Sequence, residues 1–209
     1  MAFCSLRSPI LANYILPLKW ALAGKKIMSI ILVSDVFGVT PALLEISEKL
    51  GACSIVDPYK GQMMEFQNEA EAYSYFVKEI GLDNYLSSLL KAVESIESQA
   101  TLIGFSIGAS VIWRLSEKED NNLIKQAFCF YGSQIRNFTQ IEPRFKVCLV
   151  FPKSEPHFDV VELQDNLRKK ANVKTKKVEY LHGFMNYHSN NYNSFGYNEH
   201  INLLRSITS

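Results

Sequence analysis

The most informative stretch of this sequence reads Gly104-Phe105-Ser106-Ile107-Gly108. It follows the apolar run Thr101-Leu102-Ile103, which predicts a strand, and precedes a pattern from Ile107 to about Lys118 that predicts a helix. A serine between a strand and a helix, with glycine two positions away on each side, is typical of a nucleophile elbow. We expect Ser106 to have a strained backbone with positive φ, and both glycines to be needed because side chains would collide in so tight a turn.

The segments on either side of this stretch predict strands that alternate with helices. Apolar runs predict strands at 27–36, 53–56, 125–131, 147–151 and 173–180, the last near a sheet edge. Apolar periodicity predicts helices at 40–51, 68–80, 83–97, 159–170 and 201–207, and the Tyr/Asn-rich segment 185–198 is expected to be a loop. Several strands are continuously apolar, so both of their faces should be buried. The sequence therefore predicts an α/β fold with a mainly parallel central sheet and helices on both faces.

Length, charge and cysteine content narrow the class of protein. The chain has 209 residues, with 22 basic and 21 acidic side chains and a formal net charge of +1. This length fits one domain, predicted for residues 28–209, and the charge balance gives no indication of nucleic-acid binding. No Cys or His spacing is typical of a metal site, so we expect neither metal nor cofactor. The scattered cysteines favour a reducing, cytoplasmic setting; they are Cys4, Cys53, Cys129 and Cys148.

Residues 1–27 form a separate N-terminal segment. A basic residue, an apolar run and the triplet Ala21-Leu22-Ala23 partly match a secretory signal, but prolines and Lys19 interrupt the apolar run. The run is too short to span a bilayer, so we expect no membrane association. We interpret the segment as an irregular extension, or as sequence upstream of a true start near Met28. The alternative is export, with residues 1–23 acting as the signal.

A serine hydroxyl needs a neighbouring base to become a nucleophile. The candidates for that base are His157, His182, His188 and His200. In sheets of this kind the histidine follows the last strand, which leaves His182 and His188. We favour His182, because it comes two residues after Tyr180 and lies beside Gly183, where close approach is easy. His200, in the terminal helix, is expected at the surface.

The base in turn needs an acid to orient it, and the loop after strand 147–151 offers Glu155 and Asp159. Asp159 directly precedes a helical pattern and has Glu162 three residues later, which is a capping box and explains Asp159 structurally. Glu155 has no such explanation. We therefore favour Glu155 as the acid and keep Asp159 as the alternative.

Two backbone amides are needed to stabilise the negative charge that develops on a substrate oxygen. One should be the N–H of Ile107, directly after the serine. The other should come from the loop after the first strand, at Val36 or Phe37. Asp35, at the end of that strand, could face the nucleophile or substrate, or cap the turn.

The sequence resembles the dienelactone hydrolase family of small α/β-hydrolases. The matching pieces extend from about residue 27 to the C-terminus and are Ser34-Asp35-Val36-Phe37-Gly38-Val39-Thr40-Pro41, Gly104-Phe105-Ser106-Ile107-Gly108, Tyr131-Gly132, Lys153-Ser154-Glu155-Pro156 and His182-Gly183-Phe184-Met185-Asn186. The resemblance implies an α/β-hydrolase fold. It also implies a catalytic triad of Ser106, Glu155 and His182, oxyanion amides at Val36 and Ile107, and Asp35 at an acidic position that faces the nucleophile.

The chain differs from the well-studied pattern of that family at the same positions. Ser106 replaces the usual cysteine, Asp35 replaces a glutamate, and Glu155 replaces an aspartate. Of the arginines that hold a substrate carboxylate in the family, Arg136 is a candidate only by its loop position. We therefore predict a serine hydrolase that cleaves a small carboxylic ester, lactone or thioester through an acyl-enzyme. The alternative is a non-catalytic binding protein with the α/β-hydrolase fold.

Overall fold

The computed structural model describes residues 29–52, 54–118 and 123–208. The strands are β1 (Ser29–Val33), β2 (Ser54–Val56), β3 (Ala100–Phe105), β4 (Ile124–Phe130), β5 (Lys146–Phe151) and β6 (Val173–Lys177). The helices are α1 (Pro41–Leu50), α2 (Glu69–Tyr75), α3 (Gly81–Glu94), α4 (Ile107–Leu115), α5 (Val160–Leu167) and α6 (Ser194–Thr208). A π-helical turn joins α2 to α3 (Phe76–Ile80), and a 3-10 helix follows β4 (Ser133–Asn137).

The strands form one six-stranded parallel sheet in the order β2-β1-β3-β4-β5-β6. Val33, the last residue of β1, is opposite Val56 at the end of β2 and Gly104 near the end of β3. The carboxyl ends of these strands therefore lie along one edge of the sheet, where the loops that follow them can meet. The predicted α/β fold with a parallel sheet is confirmed, and β6 is the edge strand that its alternating sequence predicts.

Helices cover both faces of the sheet. Ile31 and Val33 of β1 pack into a core shared with α3, α4 and α5, while Ile30 and Leu32 pack into a second core with α1 and α6. This division follows from the strand geometry, because successive side chains point to opposite faces. Burial on both faces explains why the central strands are continuously apolar.

The helix α1 forms as its sequence predicts. Thr40 caps it, since its Oγ1 accepts a hydrogen bond of 3.2 Å from the Leu43 amide, and Pro41 occupies the first position. Gly51 ends it in the left-handed conformation, with φ of 61°.

Several boundaries differ from the prediction by a few residues, and two of these differences have a clear local cause. The first strand ends at Val33 rather than at 36, because the chain turns at Asp35, whose Oδ1 accepts a hydrogen bond of 2.9 Å from the Phe37 amide. The last helix begins at Ser194, inside the segment that was expected to be a loop. Asn193 caps its first turn by accepting a hydrogen bond of 2.9 Å from the Gly196 amide, so polar residues that suggest a loop instead form a helix start.

The prediction that His200 lies at the surface is wrong. Its side chain is fully buried, among the rings of Phe130, Tyr180 and Phe184. The Nδ1 atom lies 2.8 Å from the Gly196 carbonyl oxygen, which satisfies one ring nitrogen within the helix. Because α6 begins earlier than predicted, it packs on the sheet along more of its length and buries this histidine; burial lowers the pKa of the imidazole.

The predicted N-terminal extension, residues 1–27, lies outside the described residues, as do Cys4 and Cys53. Within the described ranges, no helix combines the length and the apolar character needed to cross a membrane.

A test of this packing uses Gly108, in the first turn of α4. A Cβ atom there would lie 2.3 Å from the Ser34 carbonyl oxygen and 2.4 Å from that of Val33. These are backbone atoms, so Gly108→Ala must push α4 away from β1. We expect the free energy of unfolding to fall by about 3 kcal/mol, the upper end of the usual cost of overpacking.

Gly51→Ala is the matched control, because its Cβ would meet no atom within 4 Å and its cost is conformational only. We expect about 1 kcal/mol for that change. Urea denaturation of both variants measures the difference; equal costs would contradict the close approach of α4 to β1.

Candidate active site

Ser106 lies at the junction of β3 and α4, with φ of 50° and ψ of −112°. The positive φ that the sequence predicts is therefore confirmed. Its amide donates a hydrogen bond of 2.9 Å to the Phe130 carbonyl oxygen, which fixes the turn to β4. The flanking glycines are required, since a Cβ at Gly104 would lie 2.8 Å from the Ala109 amide nitrogen and one at Gly108 would meet the backbone of β1. The surrounding packing thus holds a backbone conformation that costs about 1–3 kcal/mol by itself.

The imidazole of His182 faces this serine. Its Nε2 lies 3.0 Å from the Oγ of Ser106, although the two residues are 76 positions apart in the chain. The loop after β6 holds the histidine: Asn191 donates a hydrogen bond of 2.9 Å from Nδ2 to the His182 carbonyl oxygen. On one side the imidazole packs against the ring of Tyr131, with 5.0 Å between ring centres.

Glu155 contacts the other nitrogen of the same imidazole. Its Oε1 lies 2.7 Å from the Nδ1 of His182, and its side chain is only 6% exposed. The same oxygen accepts a hydrogen bond of 2.7 Å from the Oγ of Ser133, which also lies 3.1 Å from Nδ1. Serine, imidazole and carboxylate therefore form a continuous line of contacts.

The alternatives considered from sequence are engaged elsewhere. Asp159 caps α5, since its Oδ1 accepts hydrogen bonds of 2.7 and 3.1 Å from the amides of Val161 and Glu162. His188 packs against the rings of Phe37 and Tyr187. Of the two pairs of candidates, the structure brings Glu155 and His182 to Ser106.

Opposing influences determine the pKa of His182. Burial, the largest single influence, lowers the pKa, whereas the hydrogen bond and charge of Glu155 raise it, and the charges of Glu69 and Asp35 add to that. The carboxylates together outweigh burial, so the pKa lies above the ordinary value of 6.5. The imidazolium that forms when His182 accepts a proton is stabilised by its surroundings.

Asp35 caps the turn after β1 and also lines a small pocket that Ser106 and His182 share. Its Oδ2 accepts a hydrogen bond of 2.7 Å from the Nδ2 of Asn186. Burial raises the pKa of this carboxyl group to about 6, although the hydrogen bonds from Asn186 and Phe37 lower it. The capping role considered from sequence is therefore seen as a contact, whereas contact with the nucleophile or substrate stays a prediction.

The amides expected to stabilise an oxyanion belong to residues that line the same cleft, Val36 and Ile107. Phe37, the alternative to Val36, has its N–H bonded to Asp35 and is thus occupied. The cleft has a volume of about 680 Å³ and opens to solvent at the carboxyl edge of the sheet.

Sequence reasoning missed three polar residues of the site: Ser133, Glu69 and Asn186. Ser133 follows β4 at the same sheet edge, and that position was an available signal. Glu69 approaches from α2, where its Oε1 lies 3.9 Å from the Nε2 of His182, and no motif marked it. Asn186 belongs to a piece that carries the family resemblance, but no role had been given to it.

Arg136, a candidate for holding a substrate carboxylate, also lines the cleft. Its Nη1 donates a hydrogen bond of 2.6 Å to the Ser133 carbonyl oxygen, and its guanidinium lies over the Phe158 ring. In the part of the chain that the structure describes, no group of three or more His, Cys, Asp or Glu side chains could hold a metal ion.

Comparison with known proteins assigns this arrangement to a family. The model of the dienelactone hydrolase family matches residues 14–204. The uncharacterized protein YczH of Bacillus subtilis (strain 168) is 27% identical over 165 residues, which cover 75% of this chain and 80% of the relative.

Solved structures with the same architecture have much lower sequence identity. A protein from Klebsiella pneumoniae subsp. pneumoniae that is classed as a dienelactone hydrolase has a TM-score of 0.71 and 17% identity, covering 90% of this chain and 88% of its own. The dienelactone hydrolase-like promiscuous phosphotriesterase P91 from metagenomic libraries has a TM-score of 0.63 and 14% identity, covering 87% and 85%. The predicted α/β-hydrolase fold is therefore confirmed.

The raised pKa of Asp35 predicts a pH dependence of stability. A carboxyl group that titrates near 6 when folded, and near 3.9 when unfolded, binds its proton more tightly in the folded state. Its contribution to the free energy of unfolding is thus greatest at low pH and is lost as the pH rises from about 4 to about 6.

Asp35→Asn removes this titration, because an amide does not ionise. We expect the stability of the wild type, relative to the variant, to fall by up to about 3 kcal/mol across that window. Urea denaturation of both proteins at several pH values measures it. A difference that does not change with pH would show that Asp35 titrates normally.

Proposed function

The chain belongs to the dienelactone hydrolase family and is a hydrolase acting on ester bonds, and we propose that it works as a serine hydrolase. In this proposal it cleaves a small carboxylic ester, lactone or thioester through an acyl-enzyme on Ser106. The observation that carries the proposal is the line of contacts from the Oγ of Ser106 through His182 to Glu155, at 3.0 and 2.7 Å.

In the first half of the reaction, Nε2 of His182 accepts the proton of Ser106 while Oγ attacks the substrate carbonyl carbon. The bond to Glu155 keeps the other proton on Nδ1, so that Nε2 is the free base. The leaving group then departs with the proton from Nε2, and the acyl group stays on Ser106. In the second half, Nε2 takes a proton from water, the resulting hydroxide attacks the acyl carbon, and Ser106 regains its proton.

We assign the oxyanion amides to Val36 and Ile107. The position of Ile107 at the first turn of α4 supports this, since N–H groups at a helix start lack partners within the helix. The occupied amide of Phe37 supports Val36 as the second donor.

Ser133 acts as a positioning residue in this proposal. Its hydroxyl donates to the same oxygen of Glu155 that contacts His182, and it restricts where that carboxylate can rotate. The buried carboxylate needs such a partner, because an unsatisfied charge in a poorly solvated site is costly.

The open cleft of about 680 Å³ supports a small substrate. Serine in place of the family's cysteine, and the different acidic side chains, support a substrate other than dienelactone itself. The free thiols of Cys129 and Cys148 support the cytoplasmic setting that we propose for the enzyme.

Replacing the nucleophile tests the proposal. Ser106→Ala should lower kcat for short-chain p-nitrophenyl esters by at least about 10³-fold, because the acyl-enzyme can no longer form. Ser88→Ala, an exposed serine on α3, is the matched control and should retain activity. Unchanged turnover in Ser106→Ala would contradict the mechanism. If the wild type hydrolyses no ester, the alternative of a non-catalytic binding protein is favoured.

The role of Glu155 predicts a change in pH dependence. Since His182 must be neutral to act as a base, kcat/KM should rise with pH, with a midpoint above the ordinary histidine value of 6.5. Glu155→Gln removes the charge that raises this pKa and leaves the burial that lowers it, so the midpoint should move to lower pH. The maximum rate should also fall by about 10²–10⁴-fold.

Asp159→Asn is the control for this experiment, because asparagine caps helices as well as aspartate does and Asp159 lies outside the line of contacts. A midpoint that moves in Asp159→Asn but not in Glu155→Gln would assign the acid to Asp159 instead.

A further inference from the structure

The carboxylate of Glu69 lies beside the reacting groups but outside their line of hydrogen bonds. Its Oε1 is 3.9 Å from the Nε2 of His182, which is itself 3.0 Å from the Oγ of Ser106. The carboxylate oxygen is therefore within about 7 Å of the nucleophile. The side chain is half-exposed and lines both the small pocket beside Ser106 and the open cleft.

Glu69 lies in the first turn of α2, where a negative charge suits the helix dipole, but other side chains make the capping hydrogen bonds of this helix. Asn68 caps the helix by accepting a hydrogen bond of 3.0 Å from the Glu71 amide, and Glu71 reaches back to the Gln67 amide at 2.8 Å. Neither of these capping contacts uses the side chain of Glu69. Among the ion pairs of the described residues, Glu69 pairs with His182 alone and not with a lysine or arginine.

The position of Glu69 relative to the imidazole determines whether it can contact the acyl group or the leaving group of a substrate. In the proposed reaction, Nε2 gives its proton to the leaving group, so the leaving group must lie next to Nε2. A carboxylate close to Nε2 is therefore on the leaving-group side of the scissile bond.

We propose that Glu69 determines specificity by binding a positively charged group in the leaving half of the substrate. The substrate class is then an ester or thioester of an ammonium-bearing alcohol or thiol. This inference rests on the proposed function and adds to it the charge of the substrate and the residue that recognises that charge.

Arg136 does not reverse this preference. Its guanidinium is bonded to the carbonyl oxygen of Ser133, whose hydroxyl contacts the Nδ1 side of the imidazole. Arg136 lines the open cleft but not the small pocket that Ser106, His182 and Glu69 share. An anionic leaving group would meet the carboxylate of Glu69 first and be repelled.

The reaction steps limit where Glu69 can act. In acylation the Ser106 Oγ–carbon bond forms, the bond to the leaving oxygen or sulfur breaks, and the proton of Ser106 reaches the leaving group through Nε2. Deacylation involves only water and the acyl group. The charge of the leaving group should therefore change kcat/KM, which reports acylation, and leave the deacylation rate unchanged.

The experiment compares three thioacetates whose leaving thiols differ in charge: thiocholine, its uncharged isostere 3,3-dimethylbutanethiol, and 3-mercaptopropionate. Thiol release is measured for each. For the wild type we expect kcat/KM to be highest for the cation and lowest for the anion. Beyond the difference due to the lower thiol pKa of thiocholine, the cation should exceed the isostere by on the order of tenfold at low salt and by less at high salt, since Glu69 is half-exposed.

Glu69→Gln should lower the ratio of cation to isostere by on the order of tenfold, to the ratio set by the intrinsic reactivity of the two thioesters, because the ammonium group makes thiocholine the better leaving thiol. The ratio is taken within each variant, so any change in the basicity of His182 cancels. Glu71→Gln is the matched control: it removes the same charge from the same helical turn, its side chain reaches back to Gln67, and the ratio should stay as in the wild type.

The outcomes separate this inference from the function it rests on. If the ratio of cation to isostere is the same in Glu69→Gln as in the wild type, or if the anion is preferred, the hydrolase stands and the role of Glu69 is wrong. The same holds if Glu71→Gln removes the preference as fully as Glu69→Gln does. If the wild type hydrolyses no thioester and no p-nitrophenyl ester, the proposed function fails, and this inference fails with it.

Discussion

The close approach of α4 to the strands beneath it is the constraint on which the site depends. Glycine at 104 and 108 lets the first turn of the helix contact the backbone of β1 and β3, and the chain between them must then take the φ of 50° found at Ser106. This turn places the serine Oγ above the carboxyl edge of the sheet. Because the strands are parallel, the loops after β1, β4, β5 and β6 converge there and supply the groups around it.

The carboxylates around His182 differ in environment, and their expected roles differ accordingly. Glu155 is almost fully buried and hydrogen-bonded to the imidazole, which suits an orienting role. Asp35 is held by Phe37 and Asn186 and has a pKa raised to about 6, so its charge depends on pH. Glu69 is half-exposed at the cleft, where it can meet a substrate. Three carboxylates surround His182, so a positive charge is favourable beside it. The same charges therefore favour the imidazolium of the proposed mechanism and the cationic substrate that we infer.

The sequence alone predicts those parts of the site in which a local pattern has one physical cause. The elbow followed from its glycines, and Asp159 could be set aside because a capping box already explained it. Prediction from the sequence fails where packing between distant segments determines the position of a side chain. Nothing near His200 in the sequence indicates that aromatic rings from β4 and the last loop surround it. Glu69 and Ser133 reach the site because α2 and the end of β4 pack there, and their own neighbours in sequence form no motif.

Activation of Ser106 by His182 can be measured by covalent labelling with a fluorophosphonate, followed by intact mass measurement and peptide mapping. Such a reagent modifies a serine only where a base has activated it. We expect one adduct, on Ser106, in the wild type, and loss of that adduct in His182→Ala with the fold retained. An unlabelled wild-type protein, or an adduct that forms equally fast without the histidine, would contradict it.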